Sequence, residues 1–181
     1  MTTKFHFIRT LVLFAVVVSL ISGCAAKGPS YTSVKATIPQ LQSDKARLYF
    51  LREKTHMAGT IAASIQVNGI KVADLYSGGF TYLDQSPDNV SIMIDALMNP
   101  LGGKWTGAFP LENGKEYYFF VTPNPNKILA TALFSIAGAI VTEGGPFHAY
   151  HIPKKMAVKK LQMMKFTNKE LAHQEKPWWK W

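Results

Sequence analysis

The sequence predicts a mainly β fold: an antiparallel β-sandwich of about seven to eight short strands, with an apolar helix and a C-terminal amphipathic helix. Three observations lead there. Short apolar or alternating runs recur between residues 46 and 122, separated by turn residues and by no helical period. Asn68-Gly69 joins two such runs and is the strongest short hairpin signal available. Helical patterns occur only late, at 128–142 and 154–166.

Residues 47–51 are apolar on both faces, as expected of a central buried strand. Runs 61–67 and 70–76 flank Asn68-Gly69. A two-residue turn pairs Val67 with Ile70, Gln66 with Lys71 and Ile65 with Val72, placing the four apolar residues on one face. Gly78-Gly79 breaks the chain before the 80–83 run, and Pro87 marks the next turn. In 90–95, Val90, Ile92 and Ile94 form the inward face. Pro110 cannot donate to a ladder, so the 105–112 strand is expected at an edge or a bulge. Asn113-Gly114 reads as a second two-residue turn into 115–122, with Glu112 opposite Lys115.

Residues 128–142 are almost wholly apolar, bounded by Pro123-Asn124-Pro125-Asn126 and by Glu143-Gly144-Gly145-Pro146. A helix there would be about 22 Å long, short of a ~30 Å hydrocarbon core. Packing against the sheet is favoured over insertion into a bilayer or a partner. One more strand is expected at 147–152, and Pro153 suits the first turn of a helix. That helix, 154–166, carries Ala157, Val158, Leu161 and Met164 along one stripe.

Ahead of the domain, Lys4 and Arg9 precede the apolar run 11–18, the layout of a secretory leader. The cut site Leu20-Ile21-Ser22-Gly23-Cys24 holds the chain's single cysteine and resembles the lipobox of bacterial lipoproteins. The resemblance implies that the Cys24 thiol takes a diacylglycerol, that 1–23 is removed, and that the new amino terminus is acylated. At about 0.8 kcal/mol per buried methylene, such acyl chains hold a protein on a bilayer. Ala25, rather than Asp, follows the cysteine and resembles the outer-membrane sorting pattern. Residues 24–44 are expected as a tether, 45–166 as the domain and 167–181 as a basic aromatic tail.

Loss of the leader removes two basic residues and leaves 18 basic against 11 acidic, with ten basic and nine acidic in 24–153. The positive charge therefore lies in the C-terminal segment. With Cys24 acylated no thiol remains, so stability must come from packing without disulfides.

Several stretches occur together in one order. They are the lipobox, the Ala-Arg-Leu-Tyr-Phe-Leu-Arg strand at 46–52, the Asn68-Gly69 hairpin and Gly-Gly-Phe-Thr-Tyr at 78–82. Gly-Lys-Glu-Tyr-Tyr-Phe-Phe-Val at 114–121 and Gly-Pro-Phe at 145–147 follow, before a last helix. The set resembles the bacterial lipoproteins grouped as "domain of unknown function 2846", over about residues 45–165. These motifs are structural. The resemblance implies compartment and architecture and carries no catalytic residues.

The candidates for chemistry are few. His148 and His151 are three apart in a strand and fall on opposite faces, which suits packing better than zinc. Asp74, Asp84, Asp88 and Asp95 are scattered near turns. No Gly-x-Ser-x-Gly elbow is present, and Gly102-Gly103-Lys104 lacks the rest of a phosphate loop. No cofactor or metal is expected. Trp178, Trp179, Lys180 and Trp181 resemble an interfacial anchor, where indoles sit at headgroup level and ammonium groups meet phosphates. The expected partners are the membrane, through the anchor on Cys24, and an envelope protein or anionic envelope polymer; nucleic acid is not expected. The reading is a non-enzymatic outer-membrane lipoprotein facing the periplasm, serving as a binding or scaffold module. The alternative is a cell-envelope hydrolase or modifying enzyme, which requires two or more of the four aspartates and His148 to meet in a cleft.

Overall fold

The computed structural model describes residues 25–56, 58–97, 103–125 and 144–167. The leader with Cys24, the apolar run 128–142 and the tail from 168 onward lie outside these residues.

The described chain is mainly β and forms two sheets, of five and four strands. In chain order the strands are β1 (Ala46–Arg52), β2 (Ala63–Val67), β3 (Ile70–Leu75), β4 (Gly79–Gln85) and β5 (Asn89–Ala96). They continue with β6 (Trp105–Pro110), β7 (Glu116–Pro123), β8 (Phe147–His151) and β9 (Lys165–Phe166). Helix α1 is the single turn Tyr31–Val34, followed by a 3₁₀ turn at Lys35–Thr37, and α2 is Lys154–Leu161. The larger sheet has the order β8-β7-β1-β4-β9 and the smaller β3-β2-β5-β6.

Every residue of β1 is buried, as its apolar run 48–51 predicts for the middle of the strand, and Arg47 and Arg52 are buried with it. Leu48 and Phe50 face the smaller sheet, where Ile65, Val67, Ile92, Ile94, Phe119 and Phe147 close the inter-sheet core. Tyr49 and Leu51 face the other way, into a second cluster with Tyr31, Phe80, Tyr118, Ala157, Leu161 and Met164. A strand covered on both faces needs apolar residues at every position, so the period of two disappears. Val90, Ile92 and Ile94 point inward as expected, and β6 is the edge strand that Pro110 requires.

The strands are not all antiparallel, and nine are formed among the described residues. β7 runs parallel to β1, and β9 parallel to β4. The turn at Asn113-Gly114, between β6 and β7, is not the expected hairpin. Lys115 N–H bonds the Glu112 carbonyl at 3.3 Å, and Lys115 Nζ meets Glu112 at 2.6 Å, so the expected charge pair does form. Only Gly114 takes a positive φ (68°), however, whereas a type I′ hairpin turn needs both central residues there. The chain therefore leaves β6 in one sheet and enters β7 in the other.

At Asn68-Gly69 both residues are left-handed, with φ of 52° and 78°, and Val67–Ile70 and Gln66–Lys71 pair as expected. The third pair differs: Ile65 faces Ala73, because a bulge lies between Ile65 and Gln66 in the register. The bulge turns Ala73 and Leu75 inward, while Ile70, on an edge strand beside the turn, is 68% exposed rather than part of the core.

Two further expectations are corrected. The helix at 154–166 stops at Leu161, and Lys165–Phe166 joins the sheet as β9, its Lys165 N–H bonded to the Gly78 carbonyl at 3.0 Å. Ala157, Leu161 and Met164 are buried as foreseen, although Met164 lies past the helix end. Residues 25–34 are not a free tether. Ala25 bridges Ser77, Ser30 bridges Lys165, and Ala26 and Tyr31 are buried. Ser30 caps α1, its Oγ accepting the Ser33 N–H at 3.3 Å.

Candidate functional site

The acidic candidates separate across the fold. Asp84 lies on the helix-covered side of the larger sheet, where both of its oxygens meet Arg47, at 2.5 and 2.7 Å. Arg47 Nη1 also reaches the Pro39 carbonyl at 2.9 Å, so the bidentate pair pins the chain that leads into β1. Asp88 accepts the Asn89 N–H in its own turn. His148 is on β8, paired with Thr122, and His151 is at Phe119, where its ring packs edge-on at 5.9 Å. The two histidines are on opposite faces, as their spacing predicts.

Asp74 and Asp95 share one row of the smaller sheet. Ser64 pairs with Asp74 on β3 and with Asp95 on β5, so the three form one row on the face turned away from the core. Two strand spacings put the carboxylate-bearing residues about 10 Å apart. Asp74 is bonded to Lys71 at 2.9 Å, and Asp95 accepts the Ala96 N–H at 2.6 Å. In the strand register among the described residues, Asp74 and Asp95 are the residues paired with Ser64. Among the described residues no group of three or more His, Cys, Asp and Glu could hold a metal ion.

Sequence reasoning missed a polar cluster beneath the helices. Glu116 accepts hydrogen bonds from Lys154 on α2 and from the Tyr118 hydroxyl, the latter at 2.8 Å. Tyr118 stacks on Tyr49 at 4.9 Å with rings 4° from parallel. Burial, followed by the Glu116 charge, raises the Tyr118 hydroxyl above its ordinary range, and burial pushes Tyr49 up to about 12. Both shifts favour the protonated hydroxyl. Burial works against the Glu116 charge, but the Lys154 and Tyr118 bonds outweigh it and leave this carboxyl below the usual glutamate range. The cluster fastens α2 to the sheet. Its signal lay in the alternation of Glu116 and Tyr118 along the strand.

Arg52 was missed as well. It is fully buried, its guanidinium 4.0 Å from the centre of the Phe147 ring, with Nη2 donating to the Ala58 carbonyl at 3.1 Å. Nε and Nη1 have no partner among the described residues, and desolvation pulls the group down to about 10.

Cys24, Trp178, Trp179, Lys180 and Trp181 lie outside the described residues, but the positions where the chain approaches them do not. Ala26 N–H bonds the Ser77 carbonyl at 3.1 Å, and Thr167 N–H bonds the Phe80 carbonyl at 2.8 Å. Gly79 separates the two segments: a Cβ on it would stand 2.7 Å from Thr167 Oγ1 and 3.2 Å from the Ala26 methyl. The segment after Cys24 and the segment before the tail thus meet at one corner. Among the described residues no helix is long and apolar enough to cross a membrane.

No protein-family model matches the chain, and no curated protein compared with it matches either.

Proposed function

We propose that this chain is a lipid-anchored lipoprotein of the bacterial envelope, similar to those grouped as "domain of unknown function 2846". In this reading its β-sandwich serves as a binding or scaffold module in the periplasm. The observation that carries it is the lipobox-like run Leu20-Ile21-Ser22-Gly23-Cys24, which holds the single cysteine. The chain enters the fold directly after it, at Ala25. Ala25 at the sorting position supports the outer membrane. The module reading draws support from Asp84, Asp88 and His148, which are held in three different places by structural partners. The basic aromatic end, Trp178 to Trp181, would add a second contact with the membrane or with an anionic envelope polymer.

Labelling cells with radioactive palmitate tests the anchor. The wild-type chain should carry label, and Cys24→Ser should carry none and accumulate as an uncleaved precursor. A normally processed, soluble Cys24→Ser protein would overturn the reading. Copurification from detergent-solubilised envelopes identifies the partner.

The Asp74–Ser64–Asp95 row favours the alternative, a cell-envelope hydrolase. Hydrolysis of an ester or glycoside probe that Ser64→Ala abolishes, with the melting temperature unchanged, would establish that reading in place of the module.

A further inference from the structure

Four segments meet at one corner of the larger sheet, where β1 ends and β4 begins: 25–27, 53–56, 77–79 and 165–167. Ser77 is the joint. Its carbonyl accepts the Ala26 N–H, and its hydroxyl donates to the Thr55 carbonyl at 3.0 Å while accepting the Thr55 N–H at 3.1 Å. Gly78 has a φ of 73° and lies against the Lys54 side chain, its N–H directed at the Glu53 carbonyl at 3.4 Å. Lys27, Lys54 and Lys165 are exposed around this joint, and none is in an ion pair among the described residues. Glu53 is the one acid in these four segments.

We propose that this corner is a docking face for an anionic phospholipid surface, with Lys27, Lys54 and Lys165 meeting headgroup phosphates. The inference rests on the acyl anchor at Cys24 proposed above and adds to it a fixed orientation. A twenty-residue flexible tether would let the domain wander by about 25 Å. Here the fold begins one Cα step from Cys24, about 3.8 Å, which is less than the ~8 Å screening length at physiological salt. Lys27, three residues after Cys24, is thus held within reach of the negative surface potential of an anionic leaflet, and Lys54 and Lys165 flank the same joint. The chain that continues from Thr167 starts at the same place and carries Lys169, Lys176, Lys180 and three tryptophans, which suit the same surface.

The test uses the full processed chain in lipid nanodiscs, made of phosphatidylcholine alone or with added phosphatidylglycerol. Amide hydrogen exchange is followed at 25–27, 53–56 and 77–79. Exchange at these segments should be slower on the anionic discs, while the Asn68-Gly69 turn is unchanged. Each corner lysine replaced by Gln should lower the docked-to-undocked ratio about fivefold. Lys27→Gln/Lys54→Gln/Lys165→Gln together should abolish the difference between discs. Lys45→Gln/Lys115→Gln, at the opposite end of β1, should leave it intact. Equal corner exchange on both discs, or a triple variant that retains the wild-type difference, overturns the proposal. The mass of the same protein reports separately on Cys24: an unacylated cysteine overturns the anchor, while the exchange data alone decide the corner.

Discussion

Ala26 donates its backbone N–H to the Ser77 carbonyl at 3.1 Å, two residues after the cysteine at which a lipid anchor is expected. The contact belongs to a strap. Phe166 N–H bonds the Pro29 carbonyl at 2.7 Å, and Tyr31 N–H bonds the Met164 carbonyl at 3.0 Å. Tyr31 then packs edge-on against Phe80 at 5.5 Å. The strap thus closes the second core as well as the corner.

Gly28 is its tightest point, since a Cβ there would lie 1.7 Å from the Phe166 carbonyl oxygen, a backbone atom that cannot swing aside. Gly28→Val should detach the strap and cost about 1–3 kcal/mol. Limited proteolysis should then cut within 25–34 much faster than in the wild type. Unchanged cleavage together with an unchanged melting temperature would show that the strap does not hold the fold.

The hairpin allows a sharper test. Asn68 and Gly69 are both left-handed, and Asn68 Oδ1 also accepts the Ser91 N–H at 2.9 Å. Gly69→Val should destabilise by at least ~1 kcal/mol, because a β-branched residue is strained at positive φ. Asn68→Gly keeps the backbone but loses the bond to Ser91, so it should cost only about 0.5–1.5 kcal/mol. Denaturant midpoints decide; the reverse order would mean that the Ser91 bond matters more than the turn.

These two sites show what the sequence could and could not convey. Asn68-Gly69 is a local signal, since the turn geometry requires those residue types at that place, and it was legible. The double burial of β1 was legible too, because no polar residue interrupts 48–51. The bulge at Ile65/Gln66 left no trace, as Val72, Ala73 and Leu75 satisfy either register. The strap was invisible for a different reason. Ala25, Ala26, Gly28 and Pro29 have the composition of a linker, and their partners, Ser77 and the edge of β9, are distant in the sequence. The parallel β1–β7 pairing likewise depends on which sheet accepts β7, a choice made by long-range packing. Of the candidate site, the separation of the aspartates could not be read from spacing along the chain.

Arg52 leads to a prediction contrary to intuition. It is buried; among the described residues no carboxylate is bonded to it, and two of its nitrogens have no partner. A buried, incompletely bonded charge costs stability that an apolar side chain of similar length does not. Arg52→Met should therefore change stability by less than about 1 kcal/mol, even though the bond to Ala58 is lost. Arg52→Ala, which also leaves a cavity beside Phe147, should cost about 2–5 kcal/mol. Similar large losses in both variants would show that the carbonyl bonds and the Phe147 contact outweigh the burial of charge.

Glu116 gives the fold an acid limit. Its burial disfavours the charged form, yet Lys154 and Tyr118 hold that form and keep the folded-state pKa below the ordinary value. The unfolded chain, with a glutamate near pH ~4.3, therefore takes up the proton first as pH falls. The stabilising contribution is fully present above that value and is lost as pH drops through it toward the lower folded value. Part of what it holds is α2, whose Ala157 and Leu161 cover the face of the larger sheet. Between about pH 5 and pH 3 the wild type should lose more stability than Glu116→Gln, which lacks the titration but can still accept the Tyr118 hydroxyl. Near neutral pH the order is set by the ion pair, so Glu116→Gln should be the less stable of the two. Lys154→Met supplies the independent arm. It removes the stronger of the two bonds that lower the pKa, and should flatten the acid dependence while Glu116 itself remains. Melting temperatures measured against pH decide the matter. Parallel curves for the wild type and Glu116→Gln would mean that the acid sensitivity of the fold lies elsewhere.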